Sequence, residues 1–123
     1  MRVSNKDLIT EYPWLDIGDD RYTLIDMLPT GWRYLILELC DKLKHKLIGR
    51  DLFGKYHVTE AKEKWGMLSW YDYLDDFEPM PDDIVDLIRE YEEKSKYICM
   101  ICGRLKRVSD EVCDVCQKRL ERP

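Results

Sequence analysis

Between Trp32 and Leu47 the apolar positions fall at helical spacing. Trp32, Leu35, Ile36, Leu39, Leu43 and Leu47 recur three or four residues apart, with polar residues filling the opposite face. This stripe predicts an amphipathic helix over 32–48. Thr30 stands where an N-cap would. Lys42, Lys44, Lys46 and Arg50 crowd the end where cations suit the helix dipole, and Gly49 is placed to stop the helix. The same period returns after Pro81, which suits a first helical turn. There Ile84, Leu87, Ile88, Tyr91, Ser95 and Ile98 trace one face of a second helix, with Asp82, Asp83 and Asp86 favourable near its start. That helix is expected to run almost directly into Cys99.

Between the helices the period drops to two. Tyr56 and Val58 alternate with His57 and Thr59; Met67, Ser69, Tyr71 and Tyr73 alternate with Leu68 and Trp70. The pattern predicts a β-hairpin over 55–73, with Gly66 supplying a positive φ at its turn. Trp65 and Trp70 are expected to close the core against the two helices. Residues 1–30, punctuated by Pro13, Gly18 and Pro29, show no sustained period and are expected to wrap the core. In them Leu24, Ile25, Met27 and Leu28 fit a short helix or a packed extended segment. Residues 74–80 read as an acidic loop.

The predicted class is therefore α+β: two main helices packed on a β-hairpin or small antiparallel sheet. The body spans 1–96, and a C-terminal four-cysteine module, 97–123, continues from the second helix. A length of 123 residues suits one modest core, and 45% apolar with 37% charged residues excludes general disorder. No apolar run approaches the ~20 residues that span a bilayer. The N-terminal stretch lacks the apolar core of a secretory signal, so a cytoplasmic location is expected.

Charge changes the picture by its distribution. The chain carries a formal charge of −5, yet residues 96–122 hold seven Lys/Arg (Arg122 among them) against four acids, Asp110, Glu111, Asp114 and Glu121. The acidic surplus lies in the body. A zinc ion held by four thiolates adds about −2, taking the total to about −7 and disfavouring general nucleic-acid binding.

The sharpest chemical signal is the pair of motifs CMIC at 99–102 and CDVC at 113–116. Two CxxC turns can aim four sulfurs at one ion, and a complete set of four protein ligands suits one structural Zn²⁺. The candidate metal ligands are thus Cys99, Cys102, Cys113 and Cys116, in a compact zinc ribbon or knuckle pair. Arg104, Lys106 and Arg107 between the pairs could meet phosphate or an acidic protein face, or form a solvated loop. Lys62, Lys64, Trp65 and Trp70 mark a basic and aromatic hairpin tip able to stack on a base or grip a peptide. Ten carboxylates between Asp72 and Glu93, including Asp75 and Asp76, could serve a metal, a basic partner, or simply solvation. Cys40 reads as a buried, inert thiol, and His45 and His57 as isolated side chains.

The order of these pieces resembles a family of small proteins encoded by bacteriophages, prophages and some bacteria. Its members carry a K-E-K-F/W-G-x-L-x-F/W-Y segment followed by E-x-x-S-x-x-x-C-x-x-C-G. Lys62, Glu63, Lys64, Trp65, Gly66, Leu68, Trp70 and Tyr71 match the first; Glu92, Ser95, Cys99, Cys102 and Gly103 match the second. The resemblance spans about residues 11–118 and implies a phage-associated setting without supplying a reaction. The resulting expectation is a non-enzymatic accessory protein that binds and modulates a host protein, for example by inhibiting a defence or nucleic-acid-processing system. One alternative is a nucleic-acid-binding regulator using the cysteine module and hairpin tip. Another is a metal-dependent hydrolase or nuclease using the Asp72–Glu93 carboxylates, Asp75, Asp76 and Asp82 among them.

Overall fold

The fold is given by a computed structural model, which describes residues 4–107, 110 and 112–121. Met1–Val3, Val108, Ser109, Glu111, Arg122 and Pro123 lie outside the described residues, and with them two of the charges counted above for the C-terminal segment. The elements are α1 (Asn5–Glu11), α2 (Arg33–Gly49), β1 (Tyr56–Lys64), β2 (Met67–Leu74), α3 (Asp82–Ser95) and α4 (Asp114–Glu121), joined by several short 3₁₀ turns. The class is α+β, as the periodicities predict. Among the described residues no helix is long and apolar enough to cross a membrane.

Helix α2 buries Ile36, Leu39, Cys40, Leu43 and Leu47 along the predicted stripe. Its ends differ from expectation. Thr30 does not cap it; a 3₁₀ turn over Thr30–Trp32 leads in, and Trp32 takes the N-cap position. At the other end the left-handed residue is Asp51 (φ 57), two beyond Gly49. Asp51 N–H donates to Ile48 O (3.1 Å) and Leu52 N–H to Leu47 O (2.8 Å), the bond pair of a Schellman termination. An acidic residue tolerates that conformation better than most non-glycines, so the stop moves to where the two closing bonds form.

The hairpin pairs β1 with β2 antiparallel, from Tyr56 opposite Leu74 to Lys64 opposite Met67, with a bulge between Val58 and Glu60. Its two-residue turn is Trp65-Gly66, both left-handed (φ 57 and 79), as a type I′ turn requires. The expectation for Gly66 holds. That for the tryptophans splits: Trp70 is buried in the core, whereas Trp65 is 93% exposed at the tip. The positive φ decides this, since the turn projects beyond the last paired residues.

A two-stranded sheet leaves both outer edges open, and α3 closes one of them with side chains. Leu68 N–H donates to Ser95 Oγ (2.8 Å) and Trp70 N–H to Glu92 Oε2 (3.0 Å), while Ser95 Oγ–H donates to Glu92 O (2.6 Å). The two strand donors are ~7 Å apart along β2 and the two helix residues ~4.5 Å apart along α3. The longer reach of glutamate spans the difference. Ser95 is fully buried, so its hydroxyl replaces both water and a third strand. The same helix buries Ile84, Leu87, Ile88 and Tyr91 against the core.

The N-terminal segment wraps this core, as predicted, through short turns rather than long elements. Leu8, Trp14, Leu15, Leu24, Ile25 and Leu28 are all buried in it. Trp14 holds the wrap to α2: its indole N–H donates to Cys40 Sγ (3.3 Å), and its ring meets Tyr56 edge-on with centroids 5.4 Å apart. Burial pushes the Cys40 thiol up to about 12, which keeps it protonated and inert. Nearby, Trp70 Nε1–H donates to Tyr56 Oη (2.8 Å) and Tyr56 O–H to Asp72 Oδ2 (2.6 Å). Burial raises the Asp72 carboxyl despite that hydrogen bond.

Two outcomes test these contacts. Ser95→Ala strands the Leu68 amide in the interior, so chemical denaturation will show a loss of about 1–3 kcal/mol. Because the Asp72 carboxyl is raised in the folded state, its contribution to stability is complete below the ordinary carboxylate range and is lost as pH rises through the raised value. Denaturation series from pH 3 to 7 will therefore show Asp72→Asn gaining on the native chain as pH increases.

Candidate metal centre

Beyond α3 the backbone turns over Lys96–Ile98 before reaching the first cysteine pair, so the helix stops three residues earlier than the Ile98 periodicity suggested. A bridge between Ile98 and Leu105 and the bond from Lys106 N–H to Tyr97 O (2.9 Å) form a short antiparallel ladder. At its end the chain folds tightly. Cys99 N–H donates to Arg104 O (2.7 Å), Gly103 N–H to Cys99 O (3.0 Å) and Ile101 N–H to Cys99 Sγ (3.4 Å). Gly103 takes φ 81, which lets the turn close. This is a knuckle that presents Cys99 and Cys102.

The second pair is carried differently. Cys113 immediately precedes α4 and Cys116 lies in its first turn, with Gln117 N–H donating to Cys113 O (2.9 Å). The four-cysteine module thus joins a knuckle to a helix start. The four sulfurs lie within 4.8 Å of one another, the Cys102–Cys113 pair being 3.5 Å apart, and no disulfide links them. Tetrahedral thiolates at ~2.3 Å from a central ion stand ~3.8 Å from each other, so the spacing fits such a centre. Cys99, Cys113 and Cys116 are buried and Cys102 faces solvent. The cluster could hold a metal ion.

The ionisation of these thiols agrees with that use. Burial opposes ionisation of Cys99, but N–H groups of Cys102, Cys113 and Ile101 outweigh it and bring the thiol down to about 6. The Cys116 N–H lowers Cys113. Cys116 is pushed up to about 12 by burial and then by the sulfurs around it. Four thiolates cannot share so small a space unaided; a divalent cation at their centre removes the conflict.

The module is seated on the body by backbone contact. Gly31 N–H donates to Met100 O (2.9 Å), Thr30 Oγ1–H to Ile101 O (3.2 Å), and the buried Trp32 indole N–H to Ile98 O (3.2 Å). A Cβ on Gly31 would stand 2.0 Å from Cys99 O and 2.8 Å from Gly103 N, and one on Gly103 would stand 2.8 Å from Gly31 O. The two glycines allow two backbones to touch. Trp32 is legible in the sequence as the first member of the α2 stripe, but a Gly-Trp before a helix carries no mark of the distant segment it meets.

The remaining sequence-predicted residues disperse. Arg107 pairs with Asp110 (3.2 Å) and Asp114 (3.6 Å) and Lys106 Nζ turns back to Lys96 O (2.5 Å), while Arg104, like Arg107, is exposed. Trp70 lies in the core and Trp65, Lys62 and Lys64 stand at the exposed tip. The carboxylates serve separate partners: Asp72 the Tyr56 hydroxyl, Asp75 His57 Nε2 (2.5 Å), Asp83 Arg50 (2.9 Å), Glu90 Lys94 (3.5 Å) and Glu93 Lys96 (2.8 Å). Glu92 seals the sheet edge, a role its place in an acidic run concealed. Asp76 and Asp82 are exposed. Among the described residues these carboxylates do not converge as the cysteines do.

No family model, curated protein or solved structure matches the chain. Of the resemblance stated from the sequence, the four-cysteine cluster is what the structure supports. Gly31→Ala tests the seat. It is expected to destabilise the chain by at least about 2 kcal/mol, as forced overpacking does, and to weaken metal binding roughly tenfold or more in a chelator competition.

Proposed function

We propose that the protein is a non-enzymatic binding module in which one structural zinc ion, held by Cys99, Cys102, Cys113 and Cys116, fixes the C-terminal module to the body, and in which the hairpin tip meets a protein partner. A set of four sulfur ligands supports zinc and leaves no open position for chemistry. The observation that carries the binding reading is Trp65. An aromatic side chain at a left-handed position costs on the order of 1–2 kcal/mol, and this one is 93% exposed, so the fold recovers nothing from it. Tryptophans that pay nothing back within their own chain are typical interface anchors. The resemblance to phage-encoded proteins makes the partner a host protein of the bacterial cytoplasm, whose activity the chain modulates or inhibits.

The test has two arms. Elemental analysis of the purified protein is expected to find one zinc per chain, and Cys113→Ser to bring it near zero. Affinity capture from a bacterial host lysate, with and without nuclease, is expected to retain one protein in both conditions, and that protein, purified, will re-form a binary complex. Loss of capture after nuclease overturns the reading in favour of nucleic acid; capture of nothing overturns it altogether.

A further inference from the structure

Beside the hairpin tip lies a groove of about 430 Å³, lined by Lys64, Trp65, Met67, Ser69, Tyr71 and Lys96. Met67, Ser69 and Tyr71 alternate along β2 on the side turned away from Leu68 and Trp70, so they form its floor. Trp65 rises at the turn and Lys96 follows the last residue of α3. The groove is at the small end of ligand clefts, which suits one large side chain and its neighbour. Its lining is half aromatic or thioether and carries two cations with no carboxylate. Lys64 has no carboxylate within ion-pair distance among the described residues; Lys96 meets Glu93 at 2.8 Å. Lys62, over the Tyr71 ring at 5.9 Å, is already paired with Glu60 at 3.3 Å.

We infer, resting on the binding-module reading above, that this groove receives a segment of the partner protein in which an acidic side chain stands beside an aromatic or aliphatic one. The apolar side chain packs between Trp65 and Tyr71 over Met67, and the carboxylate meets Lys64 and Lys96. Charge complementarity selects an acidic segment, since the lining offers cations alone. It also selects a short one. The opposite end of β2 leads into the exposed carboxylates of Asp75, Asp76 and Glu78, onto which a longer polyanion such as single-stranded nucleic acid would run. The left-handed conformation of Trp65 sets its ring at the mouth of the groove, which explains why an aromatic side chain occupies a turn position suited to asparagine.

The probe is a phage-displayed library of random dodecapeptides, selected on the zinc-loaded protein. Enriched sequences are expected to carry Asp or Glu within three residues of an aromatic or aliphatic side chain. A fluorescein-labelled consensus peptide, followed by anisotropy, is expected to bind at least tenfold more weakly to Trp65→Asn and to the Lys64→Glu/Lys96→Glu double variant. Tyr34→Ala, 85% exposed on α2, will stay within twofold of the native chain. Trp65→Asn places the preferred residue in the turn, so its Tm is expected to rise while binding falls. The inference is overturned by enrichment of peptides without that pairing, by none at all, by unchanged binding or a lower Tm in Trp65→Asn, or by tighter binding of a twelve-residue oligo-dT. If the captured host protein binds Trp65→Asn as tightly as the native chain, the groove assignment alone fails. If the native chain captures no protein, the broader reading fails with it.

Discussion

Two backbones in contact at Gly31 and Gly103 hold this molecule together. Around that contact the Gly31 amide, the Thr30 hydroxyl and the Trp32 indole each donate to a different carbonyl of the knuckle, at Met100, Ile101 and Ile98. Trp32 is at the same time fully buried at the head of α2. The first turn of the main helix and the first cysteine pair therefore share one set of hydrogen bonds. A metal ion held by the cysteines would tighten the knuckle, and a tight knuckle would keep those acceptors in place. Energy put into the sulfur cluster is thereby felt in the body.

Most of the regular elements could be read from the sequence because burial imposes a period. The stripe on α2 and the inner face of α3 are visible as apolar residues three and four apart, and the hairpin as a change to alternation. The cysteines declare themselves by spacing alone. What escaped was set by distance and backbone geometry. Trp65 and Trp70 have the same chemistry, and only the handedness of the turn puts one in solvent and the other in the core. Glu92 looks like every other acid in its run until β2 is placed beside it. The N-terminal turns escape because their order comes from packing against Cys40 and Tyr56, far along the chain, rather than from any local preference.

The two halves of the surface divide the work. The four sulfurs converge where they could hold a metal ion, and several of the acidic side chains are paired with partners on nearby loops and helix ends. The hairpin tip carries strain and exposure together at Trp65, as the turn after β2 does at Phe77, which has φ 51 and is 83% exposed. At the tip, Lys62 and Lys64 alternate with Glu60 and Glu63, of which Glu60 pairs with Lys62 and Glu63 accepts from the Gly66 amide.

The sealing of β2 by Glu92 and Ser95 also bears on the order in which the chain can take shape during synthesis. A two-stranded hairpin alone is marginal in water, and its outer amides find their acceptors only once α3 exists. Thr30 and Ile101, which meet beside the glycine contact, are 71 residues apart. A ribosome must deliver the chain past Ser95 before the first closure can form and past Ile101 before the second. Until then the nascent molecule exposes its apolar stripes, so the folding of everything before residues 92–101 waits on them.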